Sequence, residues 1–355
     1  MITISLCMIV RDEEDVLARC LDSVREAVDE IIIVDTGSQD LTKEIAGRYT
    51  DKIYDFKWCD DFSAARNYAF SKGGMDYLMW LDADDILPEP SLRALMDLKE
   101  RLEPQVSVVM MPYHVSFDER GRPCFVYERE RLIKNNAGFC WKGVVHEAIT
   151  PMGTILHSDV VIEHRKLKQG DPDRNLRIYE KQLASGTKMG PRESFYYARE
   201  LFYHGRYKEA IDEFTYFLTL PDSWLENRLD ACRMIAACYD VTDRPDAALK
   251  ALLASLSEDE PRAEICCDIG RHFMERKEYR TAAFWYETAA SRKASIQNGA
   301  FVNRDCYDYI PYMQLCVCYY WLGDIQQAKK YHRLAAETKP EDAAVKYNEI
   351  VMASL

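Results

Sequence analysis

Trp80-Leu81-Asp82-Ala83-Asp84-Asp85 follows directly on Tyr77-Leu78-Met79. The apolar run from Tyr77 to Leu81 therefore delivers three carboxylates to one point. Like charges at this spacing repel unless a divalent cation or a hydrogen-bonded polyol takes up the charge, and oxygen ligands suit Mg²⁺ or Mn²⁺ bridging a diphosphate. Alone, the cluster reads more readily as a solvated acidic turn after a strand, since short acidic clusters are common on surfaces. The chain upstream decides between the two.

Ile4 to Val10 is a β-rich apolar run that stops at Arg11-Asp12-Glu13-Glu14, after which Val16, Leu17, Cys20, Leu21 and Val24 recur at helical spacing. Glu30 to Val34 reads as a second buried strand, ending in Asp35-Thr36-Gly37-Ser38-Gln39-Asp40, which is turn chemistry with capping residues before a helix over Leu41 to Arg48. Strand and helix in alternation imply an α/β domain with a mainly parallel sheet. Ligands of such sheets sit off the carboxyl ends of the strands, so Arg11, Asp35 and Asp82 to Asp85 should converge on one crevice.

The ordered set MIVRDEEDVLARCLDSV, IIIVDTGSQDLT, FSAARNYAF and WLDADD resembles the family 2 glycosyltransferases of the GT-A fold, over roughly the first half of the chain. The resemblance implies an inverting transfer of a sugar from a nucleoside diphosphate sugar, usually a UDP-sugar, with Mn²⁺ or Mg²⁺. It implies that Asp35 binds the base, that Asp82 is the first aspartate of an Asp-x-Asp motif, and that Asp84 ligates the metal. Arg66 and Asn67 fall where the family contacts the nucleotide side of the donor, although a surface salt bridge serves Arg66 equally well.

Length and composition agree with this reading. With 355 residues the chain exceeds one average domain. Its 46 basic and 59 acidic residues argue against nucleic-acid binding, which needs a positive surface. Cys7, Cys20, Cys232, Cys238, Cys316 and Cys318 sit singly on helical or strand patterns and read as small buried hydrophobes of a reducing compartment. Cys266-Cys267 and Cys316-x-Cys318 lack the spacing of a zinc site. The N-terminus does not read as a signal peptide, and no stretch approaches the roughly 20 apolar residues of a membrane span. A soluble, cytoplasmic protein is expected.

Between Val106 and Ile162 short strands and turns take over, with Val106 to Pro112 and Arg129 to Ile133 as strands around a turn at Glu119 to Pro123. Two pieces stand out: Trp141-Lys142-Gly143-Val144-Val145-His146-Glu147 and the strand Val160 to His164. An inverting transfer needs a base that takes the acceptor's proton. Glu147 is the first choice and His146 the alternative, its unperturbed pKa lying nearer neutrality. By resemblance to GT-A enzymes that add a late histidine to the metal site, His164 could be a third ligand, although a lone histidine serves equally well as a core or rim residue. Arg165, Lys166 and Lys168 could close over the diphosphate; Arg131 could touch phosphate, and Trp141 could stack on a sugar or simply pack.

From Asp171-Pro172 onward the β signals vanish. Gly205 to Ala210, Asp243 to Ala248, Lys277 to Ala282 and Gly323 to Ala328 recur as turn, spacer and small residue, the alanines lying 38, 34 and 46 residues apart. A period near 34 with aromatic and turn positions resembles tetratricopeptide repeats. The long last spacing, containing Lys293 to Tyr309, implies an insertion or an extended helix. Most of the aromatic excess should be core, because each helix pair buries its apolar face on the next. The expected layout is a catalytic domain over 1–187 and an all-α solenoid over 188–355. The pattern is similar to bacterial two-domain transferases with terminal repeats, including one that glycosylates a peptide cysteine. The repeats would recruit a peptide, protein or glycan acceptor, or serve to form a homodimer; a non-catalytic scaffold is the alternative from another class.

Overall fold

A computed structural model describes residues 1–167, 170–294 and 301–353. They form two compact units, one spanning Met1–Met189 and the other beginning at Gly190.

In the first unit the strands are β1 (Ile4–Val10), β2 (Glu30–Asp35), β3 (Ile53–Asp55), β4 (Tyr77–Met79), β5 (Asp85–Ile86), β6 (Val106–Phe117), β7 (Pro123–Lys134), β8 (Thr154–His157) and β9 (Ile162–His164). They join in the order β3-β2-β1-β4-β7-β6-β9-β5, with β8 also paired to β6. Strand β1 buries apolar residues on both faces: Ile4, Leu6, Met8 and Val10 enter one core, Cys7 the other. That is why it reads as an unbroken hydrophobic run. Helix α1 (Leu17–Val24) packs Leu17, Cys20, Leu21 and Val24 on the first face. Helix α2 (Thr42–Ala46) is shorter than the pattern over Leu41 to Arg48 suggests. Helix α3 (Phe62–Phe70) packs Ala69 and Phe70 on the opposite face, its first turn capped by Asp61, whose Oδ1 accepts from the Ala64 N–H at 3.0 Å.

The sheet is mixed. Strand β7 runs antiparallel to β4 and β6, and β5 antiparallel to β9. Helix α4 (Glu89–Arg101) leads into β6, and the Asp118–Arg122 turn then sends β7 back, with Gly121 at φ +76°, a backbone region that favours glycine. Both expected strands here are longer than their apolar cores, since a hairpin keeps its ladder after one face turns polar. Helix α5 (Arg174–Ala184) closes the unit.

The second unit is a succession of helix pairs: α6 (Pro191–Tyr203) with α7 (Tyr207–Thr219), α8 (Leu225–Val241) with α9 (Pro245–Ala254), α10 (Ala263–Glu275) with α11 (Tyr279–Ser291), and α12 (Tyr309–Trp321) with α13 (Ile325–Thr338), then α14 (Ala343–Ala353). Ala210, Ala248, Ala282 and Ala328 each occupy the fourth position of the second helix and are fully buried. Each intra-pair turn passes through one left-handed residue, at Gly205, Asp243, Lys277 and Gly323, with φ between +56° and +79°. The repeated turn geometry therefore tolerates Asp and Lys where glycine is easier. The long last spacing is an insertion between Ser291 and Tyr309, not a longer helix; residues 295–300 lie outside the described residues. The aromatics divide more evenly than expected. Phe195, Phe214, Phe217 and Tyr286 are core, whereas Tyr216, Phe284 and Trp321 are more than half exposed.

All twelve cysteines are free, and the six named above are buried. Among the described residues no helix is long and apolar enough to cross a membrane.

Candidate functional site

A cavity of about 880 Å³ opens in the first unit at the carboxyl ends of the strands. Arg11, Arg66, Asp82, Asp84, His146, Glu147, His164 and Lys166 all line it.

The acidic turn is closed by its own backbone. The Asp85 N–H donates to the Asp82 carbonyl at 3.0 Å, and the Asp82 N–H donates to Asp85 Oδ2 at 3.0 Å. Asp85 is fully buried, while Asp82 and Asp84 turn toward the cavity. Arg66 projects from α3 onto the edge-to-face pair of Trp80 and Trp141, 4.8 and 4.9 Å from their centroids. Its Nη2 donates to Asp82 Oδ1 at 2.6 Å and its Nε to Glu147 Oε1 at 2.5 Å. Burial opposes charge on the Asp82 carboxyl, yet Arg66, with help from Arg131, holds its pKa down to about 2. Burial likewise opposes the Arg66 cation, and the two carboxylates overcome it. Glu147 also accepts at its carbonyl from Arg129 Nη2, at 3.3 Å. His146 stands beside it at φ +52°, a strained setting for a non-glycine residue.

Strand β9 pairs His164 directly opposite Asp85. Its Nδ1 lies 3.3 Å from Asp84 Oδ1 and 3.3 Å from Asp85 Oδ1. Burial lowers the imidazole pKa, but these two carboxylates win and push it up to about 10. One ligand atom each from Asp84, Asp85 and His164 can be chosen with all three within 4.8 Å of one another. Asp84 and His164, which line the cavity, offer an oxygen and a nitrogen donor that suit Mn²⁺ or Mg²⁺, while Asp85 lies fully buried behind them. The residues fit a divalent ion. Asp82, the first aspartate of the motif and a further candidate ligand, is outside that group and pairs with Arg66 instead.

Other expectations need correction. Asn67 does not line the cavity: its amide clamps the Trp141 backbone, Nδ2 donating to the carbonyl at 3.0 Å and Oδ1 accepting from the N–H at 2.8 Å. Arg131 is fully buried and reaches Asp85 Oδ2 at 2.9 Å, so no phosphate can meet it. Arg165 turns aside, pairing with Glu163 and lying over the Phe117 ring at 3.5 Å. Trp141 is buried against Trp80 and Phe70. Lys168 lies outside the described residues. Asp35 is buried and does not itself line the cavity, although Thr36 next to it does; its Oδ1 accepts from the Gly37 and Ser38 N–H groups at 2.9 and 3.0 Å, while Oδ2 has no partner among the described residues. An unpaired buried acceptor of this kind is costly unless a ligand serves it. Trp58 and Phe62, a T-shaped pair at 4.7 Å, and Arg174 with Arg177 of α5 also line the cavity. Sequence reading missed these four, and no spacing pointed to them.

Residues 5–160 match the family described as glycosyl transferase family 2. The first unit is thus a glycosyltransferase family 2 domain, followed by a tetratricopeptide-like helical region. Over 150 residues the chain is 39% identical to a TPR repeat-containing protein of Synechococcus elongatus, covering 42% of this chain and 36% of that one. It is 26% identical over 223 residues to the SPbeta prophage-derived glycosyltransferase SunS of Bacillus subtilis, covering 59% and 52%. A lipopolysaccharide core biosynthesis glycosyltransferase of Rhizobium meliloti is 27% identical over 161 residues, covering 43% and 58%. The matches thus span between about a third and three fifths of these relatives' lengths. Among solved structures, MamA aligns with 49% of this chain and 86% of its own at 20% identity and a TM-score of 0.37, a likeness too slight to carry an argument.

Proposed function

We propose that this chain, whose first unit is a family 2 glycosyltransferase domain, transfers a sugar from a UDP-sugar to an acceptor with inversion, and that its repeats recruit a peptide or protein acceptor. The observation that carries the reading is the convergence of Asp82, Asp84, Glu147, Arg66 and His164 on one cavity large enough for a nucleotide sugar.

Asp84 and His164 would hold the divalent ion, which supplies positive charge against the departing diphosphate. Asp35 offers its unpaired Oδ2 to a base N–H. Arg66 holds the Asp82 and Glu147 carboxylates in place, and its buried Nη1, without a partner among the described residues, is a donor for the diphosphate. Glu147 takes the acceptor's O–H or S–H proton. The freed lone pair forms the new bond to the anomeric carbon as the carbon–oxygen bond to the diphosphate breaks, and the nucleoside diphosphate leaves with that electron pair. With attack and departure on opposite faces, the configuration inverts.

Incubation with UDP- and GDP-sugars in Mn²⁺, followed by proton NMR, tests the reading. Slow release of UDP with an inverted anomeric signal is expected, and addition of peptide acceptors should accelerate it. If no nucleotide sugar binds in the presence of Mn²⁺, Mg²⁺ or chelator, the reading falls and the scaffold alternative stands.

A further inference from the structure

From the geometry around Asp85 we infer that Asp85, Arg131 and Tyr113 are positioning residues for the divalent ion, Asp85 acting as the brace of His164 and of the acidic turn and not as a ligand. The inference rests on the metal-dependent reading above and concerns residues that do not line its cavity.

Both oxygens of Asp85 are already occupied. Oδ1 accepts from the Tyr113 hydroxyl at 2.7 Å and faces His164 Nδ1 at 3.3 Å; Oδ2 accepts from Arg131 Nη1 at 2.9 Å and from the Asp82 N–H at 3.0 Å. A carboxylate offers about four lone-pair directions. With four partners taken, Asp85 has none left for an ion unless the network breaks. Asp84 has no such burden, since its carboxylate meets His164 alone among the described residues and lines the cavity.

Each bond of the network fixes something the ion would need. The bond to the Asp82 N–H sets the turn that aims Asp82 and Asp84, and the approach to Nδ1, which Asp84 Oδ1 shares at 3.3 Å, sets the plane of the His164 ring. Carboxylates behind a ligating histidine act in this way on metal sites generally. Tyr113 supports the same ring from its side, 5.9 Å between centroids at 66°.

Stability alone is a poor account of the arrangement. Arg131 and Asp85 are both completely buried, and Arg131 Nε and Nη2 have no acceptor among the described residues, though the guanidinium lies 3.7 Å from the Trp80 centroid and 4.4 Å from that of Tyr113. A buried ion pair with unsatisfied donors gives little net stability over apolar packing. What it does give is one fixed geometry at the acidic turn.

The test is Mn²⁺ titration of the full chain, read by the EPR signal of free Mn²⁺, with the melting temperature recorded in chelator. Tyr113→Phe removes one hydroxyl and keeps the ring; it should weaken Mn²⁺ binding about 10-fold with a melting temperature within a few degrees of wild type. Asp85→Asn should weaken it by about 10- to 100-fold, less than Asp84→Ala. If Tyr113→Phe binds Mn²⁺ as wild type does, or Asp85→Asn loses binding as fully as Asp84→Ala, Asp85 is a ligand or a bystander and the inference is wrong. If wild type itself binds no Mn²⁺, the metal-dependent reading fails before the brace is tested.

Discussion

Arg66 Nε donates to Glu147 Oε1 at 2.5 Å while the Nη2 of the same guanidinium donates to Asp82 Oδ1 at 2.6 Å. One cation thus fixes two carboxylates from segments 65 residues apart, and its own position is set by the edge-to-face pair of Trp80 and Trp141 that it lies against. Removing it leaves Asp82 and Glu147 facing each other across an empty site. Arg66→Ala should cost about 3 kcal/mol, the low end for breaking a buried pair because Asp82 is partly exposed. Urea denaturation measures this. Arg66→Lys should restore only part, since an ammonium cannot present Nε and Nη2 together.

Glu147→Gln should retain UDP binding and lower turnover by roughly 10²-fold or more, the scale of a lost general base. His146→Ala should act less. Single-turnover assays of both variants decide the assignment: a normal Glu147→Gln beside an inactive His146→Ala reverses the roles.

UDP should stabilise the protein more with Mn²⁺ than with chelator. A ligand at a hundredfold excess over its Kd adds about 2.7 kcal/mol, enough for a clear shift in Tm. In Asp84→Ala the Mn²⁺ increment should vanish. Equal shifts in the mutant and wild type would remove Asp84 from the site.

The pH dependence follows from His164. Its pKa rises from 6.5 to about 10 on folding without metal, because Asp84 and Asp85 overcome the effect of burial. The protonated ring therefore stabilises the fold fully below about pH 6.5, and that contribution is lost as the pH rises through about 10. Melting in chelator should decline across this window in wild type and stay flatter in His164→Gln. Mn²⁺ competes with the same proton, so its affinity should rise with pH over that range.

In the repeats, a Cβ at Gly270 would lie 2.8 Å from Cζ of Tyr286, which is 2% exposed. Gly270→Ala gains about 0.8–1 kcal/mol of helix propensity but forces repacking worth about 1–3 kcal/mol. Net destabilisation is expected by thermal melting, and Tyr286→Phe should not relieve it, since the ring carbons remain.

The alternation of Ile4 to Val10, the α1 pattern and Glu30 to Val34 was enough to place an α/β sheet with Arg11 and Asp82 to Asp85 near one end, because burial on both faces of a strand leaves an unbroken apolar run and sheet ligands sit past strand ends. The four turns from Gly205 to Gly323 were equally legible, since a repeated local geometry selects a repeated local sequence. What the sequence left open was the partner of each charge. Asp82 and Asp85 look alike in Asp82-Ala83-Asp84-Asp85, yet one is held by Arg66 at the cavity and the other lies buried under Arg131 and Tyr113. Asn67 and Arg131 were assigned to the donor, and both are spent on the interior. These pairings join residues 16 to 81 positions apart. Local periodicity fixes which residues can be strand or helix, but only the packed elements decide which carboxylate meets which cation, since a charge loses its water only where the tertiary structure supplies a partner.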